Sequence, residues 1–216
     1  MTSWSFLSRL GEAQILMPAM VSALAWLSWR VGLPAVRAGA LWLLMLAGAG
    51  LVTLTTKLAF IGWGLGWAWA DFTGVSGHTL AATAVLPPLA SLATGRQSVR
   101  GRAVLLAVAV LLAIVVGVSR VVLGAHSVSE VLAGWLLGAA VSSLAVQRLN
   151  GLNSRRHDWS LLLVLAVWGL SAMTSAPATR SHERVTEWAL RLSGHSQPFV
   201  RADLHRPRSA TRVPGP

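Results

Sequence analysis

The chain has 216 residues, of which 54% are hydrophobic and only 12% are charged, and its mean hydropathy is +0.61. Because soluble domains carry about 25% charged residues, this composition excludes an ordinary soluble domain and favours a polytopic membrane protein. The net charge of +11 comes from arginines beside apolar segments, which is typical of topology signals and contacts to anionic lipid. The hydropathy excludes a soluble nucleic-acid-binding protein, and the absence of cysteine excludes thiolate chemistry.

Six apolar segments predict membrane-spanning helices, since a span needs about 20 mainly apolar residues. Their approximate bounds are residues 15–29, 38–60, 78–93, 103–119, 126–146 and 159–176. We therefore predict an all-α polytopic membrane helical bundle of about six transmembrane helices, forming one domain over residues 1–176. Residues 177–216 predict a polar, basic tail with a short amphipathic helix at 184–192 and a disordered end rich in proline and arginine.

Two features interrupt the regular pattern of apolar spans. Glycine and tryptophan alternate in residues 62–74. Glycine at this density disfavours a regular helix, and tryptophan is enriched at membrane–water interfaces, so the pattern predicts an interfacial loop. The third span contains Pro87 and Pro88, which predict a kink whose freed backbone groups are satisfied by neighbouring helices.

The arginines predict the orientation of the bundle. Three short connections, residues 30–37, 96–102 and 148–156, hold eight arginines and no acidic residue. In a six-span bundle all three fall on the same side, which the positive-inside rule makes cytoplasmic. The other end is then extracytoplasmic. The same count puts the tail outside, against the rule, because the tail holds seven arginines and three acidic residues.

Lys57 and the triplet Ser76-Gly77-His78 lie at the predicted extracytoplasmic ends of the second and third spans. Lys57 is the only lysine, and an ionisable group in such a place indicates function, unless it only extends its charge to the interface. The triplet joins a glycine-rich loop to an apolar helix, and a helix start with free N–H groups binds anions. Ser76 is equally compatible with an ordinary helix N-cap.

The second polar cluster comprises Ser119, Arg120, His126 and Glu130. Arg120 ends the fourth span, where it is placed either to stabilise the helix carbonyls or to bind phosphate oxygens through its guanidinium. Glu130 follows His126 at i+4 on the same helix face, so its carboxylate could fix the tautomer of the imidazole and leave the other ring nitrogen free to attack. The alternative is a capping box between Ser127 and Glu130.

If both apolar runs between these clusters are spans, the two clusters meet at one membrane face. Basic donors around a nucleophile are what phosphoryl transfer needs. With Lys57, Ser76-Gly77-His78 and Ser119-Arg120-x5-His126 in this order, the sequence resembles the type-2 phosphatidic acid phosphatase superfamily, membrane lipid phosphate phosphatases related to vanadium haloperoxidases. The family pattern is Lys-x6-Arg-Pro, then Pro-Ser-Gly-His, then Ser-Arg-x5-His-x3-Asp.

Four positions, distributed over all three motifs, depart from this family pattern. Gly64 and Leu65 stand where Arg-Pro is expected, so one phosphate-binding guanidinium is missing from the first motif. Val75 replaces the proline before Ser-Gly-His, and Glu130 replaces the aspartate of the third motif, which keeps the charge and lengthens the arm by one methylene.

The resemblance implies a role for each matching residue. His126 would attack phosphorus and form a phosphohistidine, Glu130 would orient His126, and His78 would protonate the leaving oxygen and then activate water. Four groups would hold the phosphate oxygens, namely Lys57, Arg120, Ser76 and the amide of Gly77. No metal or other cofactor is implied, and apart from Glu130 the sequence near the histidines has no carboxylate cluster to bind Mg²⁺.

The sequence therefore predicts an integral membrane phosphatase acting on a lipid phosphate or diphosphate, at the outer face of a bacterial inner membrane. Candidate substrates are undecaprenyl diphosphate, phosphatidylglycerophosphate and phosphatidic acid. One alternative is a relative that binds lipid head groups without turnover, because the arginine is missing at Gly64. Another is a small transporter, which is disfavoured because the ionisable residues lie at span ends rather than at mid-span. Asp71 either pairs with Arg120 or Lys57 or caps a turn.

Overall fold

The computed structural model describes residues 3–93, 99–150, 152, 163–164, 167–169, 171–172, 174 and 180–206. The described part of the chain is helical and contains no β-strand, only one isolated bridge between Trp67 and Phe72. The helices with defined bounds are α1 (Ser3–Arg9), α2 (Ala13–Val31), α3 (Leu33–Trp63), α4 (Gly77–Ala93), α5 (Val99–Val122), α6 (Val128–Asn150), α7 (Ser181–Ser193) and α8 (Arg201–Leu204). The predicted all-α class is confirmed.

Helices α2 to α6 coincide with the first five predicted spans. Within the described residues, four segments are long and apolar enough to cross a membrane, namely Ser3–Val31, Leu33–Trp63, Val99–Val122 and Val128–Asn150. These apolar helices identify a membrane protein. The predicted sixth span lies mostly outside the described residues. Of its described residues, Trp168 donates its indole N–H to the carbonyl of Ile15 at 2.9 Å, and Ala172 packs on Ile15.

Helix α4 is only 17 residues long and packs between α5 and α6 with most of its side chains buried. Two glycines of α6 allow the close contact. A Cβ added at Gly134 would lie 2.9 Å from the carbonyl oxygen of Ser76, and one added at Gly138 would lie 2.6 Å from the Cβ of Thr83. Small residues let helix backbones approach closely in membranes. The glycines therefore position the start of α4 against the start of α6.

Helix α3 satisfies one backbone group that the proline pair of α4 leaves without a donor. Proline has no N–H, so Pro88 leaves the carbonyl of Ala84, four residues earlier, without its helical donor. The fully buried Trp42 of α3 donates its indole N–H to this carbonyl at 3.1 Å. A neighbouring helix thus satisfies a backbone group freed by the proline pair, as the sequence predicted.

One end of the bundle, which we call the site end, is where α3 and α5 end and where α4 and α6 begin. Helix α7 of the tail packs against the last turns of α3 at this end, with a Cβ added at Gly62 lying 3.2 Å from the carbonyl of Ala189. At the opposite end, Asn150 of α6 accepts hydrogen bonds from Ser91 at 2.7 Å and from Arg102. The described residues before and after the predicted sixth span therefore lie at opposite ends of the bundle, as a crossing between them requires.

The glycine- and tryptophan-rich segment is a loop at the site end, as predicted. It contains a short 3-10 turn at Ala68–Ala70, and the backbones of Trp67 and Phe72 pair across the turn. The side chain of Trp69 is 89% exposed. Its location in the membrane interface stays a prediction.

Candidate active site

A cavity of about 510 Å³ lies at the site end. Four of the predicted site residues line it together: Lys57 from α3, His78 from the first turn of α4, Arg120 from the last turn of α5 and His126 from the loop before α6. The other lining residues are Phe60, Ile61, Thr73, Gly74, Ala125, Ser181, His182, Phe199, Val200 and Arg201. Two imidazoles and two cationic side chains of the predicted set therefore line one space, to which the tail adds His182 and Arg201.

His126 and Glu130 form the central pair of the site. Nδ1 of His126 lies 2.6 Å from Oε2 of Glu130, and the carboxylate is completely buried. Because a carboxylate only accepts hydrogen bonds, this contact places the imidazole proton on Nδ1. Nε2 of His126 is then the ring nitrogen with a free lone pair, which is the arrangement a nitrogen nucleophile needs.

The sequence suggested two contacts for Glu130, one with the imidazole of His126 and one within a capping box with Ser127, and the structure contains both. The N–H of Ser127 donates to Oε2 of Glu130 at 3.2 Å, and the N–H of Glu130 lies 3.4 Å from the hydroxyl oxygen of Ser127, so the capping box is present. The other oxygen, Oε1, accepts from the N–H of Thr73 at 2.7 Å and from its hydroxyl at 2.5 Å. The carboxylate of Glu130 thus caps α6, anchors the loop before α4 through Thr73 and holds His126.

Burial lowers the pKa of His126 below its ordinary value of 6.5, and the positive charges of Lys57 and Arg120 act in the same direction. The hydrogen bond and the charge of Glu130 raise the pKa of His126 and offset part of this effect. The net shift is downward, so the imidazole is neutral at pH 7. A neutral imidazole is the form that can attack an electrophile.

Arg120 lines the cavity and is anchored to α1. Its Nη1 donates to the hydroxyl of Ser8 in α1 at 2.7 Å. Its Nε is buried and has no partner among the described residues, so any contact to a ligand in the cavity would come from the other N–H groups of the guanidinium. No helix was predicted at residues 3–9, and so the contact between Ser8 and Arg120 was missed.

The loop beside Lys57 approaches its side chain closely. A Cβ added at Gly74 would lie 2.9 Å from Cγ of Lys57, and Gly74 has φ +148°. The next residue, Val75, donates its N–H to the hydroxyl of Thr56 at 3.2 Å. Gly74 therefore allows the loop to pack against Lys57 at the edge of the cavity.

Ser76 and Gly77 lie apart from the cavity that holds the histidines. Ser76 is fully buried, its hydroxyl lies 2.9 Å from the hydroxyl of Thr79, and its N–H donates to the carbonyl of Glu130 at 3.1 Å. Gly77 lines a second cavity of about 230 Å³, together with Lys57 and His78. A role in holding phosphate stays a prediction for both residues.

The tail supplies a wall of the cavity that sequence reasoning missed. Its lining residues include Phe199 and Arg201, and the N–H of Phe199 donates to the carbonyl of Ile61 at 2.9 Å. The ring of Phe199 fills the space beside Gly64, where an added Cβ would lie 2.9 Å from the ring. The available signal was an apolar pair, Phe199 and Val200, inside an otherwise polar segment. The predicted helix at residues 184–192 is present as part of α7.

Asp71 belongs to the turn and also forms ion pairs with the tail. It ends the 3-10 turn with φ 48°, and its N–H donates to the carbonyl of Ala68. Its carboxylate contacts Arg201 at 2.7 Å and His205 at 3.0 Å, rather than the Arg120 or Lys57 considered from the sequence. The turn interpretation is therefore the correct one of the two, and the ion-pair partners are different.

Among the described residues, no group of three or more histidine, aspartate or glutamate side chains has the arrangement of a metal site. Lys57, Arg120 and Arg201 line the same cavity, and such cationic side chains bind anions rather than metal ions. Independence from metal stays a prediction.

Comparison with known proteins agrees with this geometry. Residues 53–154 match the PAP2 superfamily, a range that includes Lys57, His78, Arg120, His126 and Glu130. An uncharacterized 22.5 kDa protein in the cps region of Klebsiella pneumoniae is 33% identical over an aligned length of 216. The match covers 94% of this chain and 98% of the relative. No solved structure matches the chain. By its matching segment, which supplies the predicted site residues of the cavity, the chain belongs to the PAP2 superfamily.

Proposed function

We propose that the chain is an integral membrane phosphatase that hydrolyses a lipid phosphate or diphosphate through a phosphohistidine on His126. The observation that carries the proposal is the single cavity lined by Lys57, His78, Arg120 and His126, in which Nδ1 of the nucleophile is held by Glu130. Membership of the PAP2 superfamily supports phosphatase chemistry.

Each half of the reaction uses the same two imidazoles. In the first half, the Nε2 lone pair of His126 attacks phosphorus, the bond from phosphorus to the leaving oxygen breaks, and His78 donates a proton to that oxygen. In the second half, His78 takes a proton from water, the water oxygen attacks phosphorus, and the phosphorus–nitrogen bond breaks to release inorganic phosphate. Lys57 and Arg120 stabilise the charge on the phosphate oxygens throughout. No step requires a metal ion.

The surroundings of the cationic groups support an amphiphilic substrate. Phe60, Ile61 and Phe199 form an apolar part of the cavity wall. The second cavity shares Lys57, His78 and Ser181 with the first. Apart from Thr53, its other lining residues are glycine or aliphatic. A head group in the first cavity would therefore have apolar surface beside it for the start of a lipid chain. Undecaprenyl diphosphate, phosphatidylglycerophosphate and phosphatidic acid all meet this description.

We propose that the site faces the extracytoplasmic side of a bacterial inner membrane. The described arginines at the opposite end, Arg30, Arg37, Arg100, Arg102 and Arg148, support this orientation because basic residues favour the cytoplasmic side.

The orientation can be tested by labelling, because the chain has no cysteine and a single introduced thiol reports its own position. Trp69→Cys at the site end should react with a membrane-impermeant maleimide in intact cells. Val99→Cys, 83% exposed at the opposite end, should react only after permeabilisation. The reverse pattern would refute the orientation.

The chemistry is tested by phosphate release from the three lipids, using full-length protein purified in detergent. Wild type should release phosphate, and His126→Ala should abolish release. His195→Ala is the matched control, because His195 is an exposed histidine of the tail outside the cavity lining. If His126→Ala releases phosphate at the wild-type rate, the nucleophile is wrongly assigned.

The competing function is binding without turnover, which the glycine at position 64 favours. Wild-type protein that binds orthovanadate, a phosphate analogue, yet releases no phosphate from any of the three lipids would support this alternative against the phosphatase.

A further inference from the structure

Arg201, the first residue of α8, places its guanidinium between two carboxylates. Its Nη1 donates to Oδ2 of Asp71 at 2.7 Å and to the carbonyl of Asp71 at 2.6 Å. Its Nη2 lies 2.9 Å from both carboxylate oxygens of Glu130. The tail thus contributes a cation to the buried carboxylate that holds His126.

Both terminal nitrogens of this guanidinium are occupied. A phosphate-binding arginine directs terminal donors into the cavity, whereas those of Arg201 are directed at Asp71 and Glu130. The contact of Nη2 with both oxygens of Glu130 opposes rotation of the carboxylate about its terminal bond. That rotation would otherwise change which oxygen faces Nδ1 of His126. Arg201 therefore acts on the orientation of Glu130 rather than on the substrate.

The tail and the glycine at position 64 are structurally linked. Gly64 has φ +69°, and an added Cβ would lie 2.9 Å from the ring of Phe199. A side chain at position 64 and the docked tail would therefore compete for the same space. The glycine that permits Phe199 to dock stands at the position where the first family motif has its arginine. Phe199 in turn lies two residues before Arg201.

We propose that Arg201 is a positioning residue, which holds Glu130 so that the proton of His126 stays on Nδ1 and Nε2 remains free. The inference rests on the proposed role of His126 as the nucleophile. It adds a residue of the tail to the machinery of the site, and it gives the tail a chemical function.

The tautomer of His126 gives a measurement that does not depend on turnover. Full-length protein labelled with ¹⁵N-histidine is studied in detergent by NMR, and His126→Gln assigns the signal. Wild type should show the Nδ1–H tautomer, and Arg201→Ala should populate the Nε2–H tautomer. Arg201→Lys, which retains a charge that can reach one carboxylate, should be intermediate. Arg191→Ala, at an exposed arginine of α7, should match wild type.

Kinetics separate positioning from phosphate binding. Because Arg201→Ala removes the charged contacts to both oxygens of Glu130, we expect it to lower kcat by about 10- to 100-fold with KM nearly unchanged. Because the effect passes through Glu130, adding Arg201→Ala to Glu130→Gln should lower kcat by less than about twofold further.

Two results would overturn the inference. The first is an Arg201→Ala protein with the wild-type tautomer and kcat. The second is a rise in KM with kcat unchanged, which would make Arg201 a phosphate ligand. If wild-type protein releases no phosphate while Arg201→Ala still changes the tautomer, the proposed function fails and the positioning role stands. If Arg201→Ala does not fold, the question is decided by the tautomer and kcat of Arg201→Lys and by kcat of Arg201→Ala combined with Glu130→Gln.

Discussion

Replacing Glu130 with glutamine keeps the shape of the side chain and removes the acceptor pattern on which the site depends. Oε1 accepts two hydrogen bonds from Thr73, and Oε2 accepts from His126 and from the N–H of Ser127. Glutamine has one oxygen and one NH₂ group. Whichever way the amide turns, its NH₂ faces donors at one of the two positions.

We expect the oxygen of the introduced amide to face Thr73, because both hydrogen bonds from Thr73 are short. The NH₂ group of the amide then lies opposite Nδ1 of His126. The imidazole then loses the acceptor that holds its proton on Nδ1, and protonation moves to Nε2, the nitrogen that attacks phosphorus in the proposed mechanism. A carboxylate-to-amide change at the partner of a catalytic histidine lowers kcat roughly 10⁴-fold in a serine protease, so we expect a loss of about 10³- to 10⁴-fold here. The unpaired buried donors should also cost about 1–3 kcal/mol of stability.

The assay is phosphate release at saturating lipid, together with thermal unfolding in the same detergent. Glu187→Gln, at an exposed glutamate of α7, is the matched control and should leave both measurements unchanged. A folded Glu130→Gln protein that keeps kcat within about twofold of wild type would refute the role of the carboxylate.

The pH dependence and the core give two further predictions. Because only the neutral imidazole attacks and burial lowers the pKa of His126, kcat/KM should fall as the pH falls through this lowered pKa. The acid limb should therefore lie below pH 6.5, the ordinary value for histidine, and a limb above pH 7 in a pH–rate profile would contradict the assignment. Trp42→Phe should leave the carbonyl of Ala84 unpaired and lower the free energy of unfolding by about 1–3 kcal/mol. Thermal unfolding in detergent measures the effect, and Trp29→Phe, at an 84% exposed tryptophan, should show no comparable loss.

Most of the bundle was predictable because long apolar runs have few alternatives to membrane helices. The positions of Lys57, Arg120 and His126 at span ends were sufficient to predict that they meet. The proline-containing span was also interpretable, since Pro87 and Pro88 in an apolar run free backbone carbonyls, and Trp42 supplies a donor to one of them. The kink itself stays a prediction.

The tail could not be placed from the sequence. Its helix α7 was predicted from its amphipathic pattern, but nothing in a polar segment specifies which surface it will pack against. The docking of Phe199 beside Gly64 is a contact between residues far apart in the chain, and pattern arguments act over a few turns only. For the same reason the ion pair between Arg201 and Glu130 was beyond sequence reasoning.

The close contact of α4 and α6 has a consequence for the distance between the two imidazoles. His78 stands on the first turn of α4 and His126 just before α6, and Gly134 and Gly138 set how near those two helices lie. A methyl group added at either glycine would meet α4, or Ser76 just before it, at less than 3.0 Å, so the two helices would have to move apart. In the proposed mechanism this would separate the two imidazoles and lower turnover, although neither glycine lines the cavity.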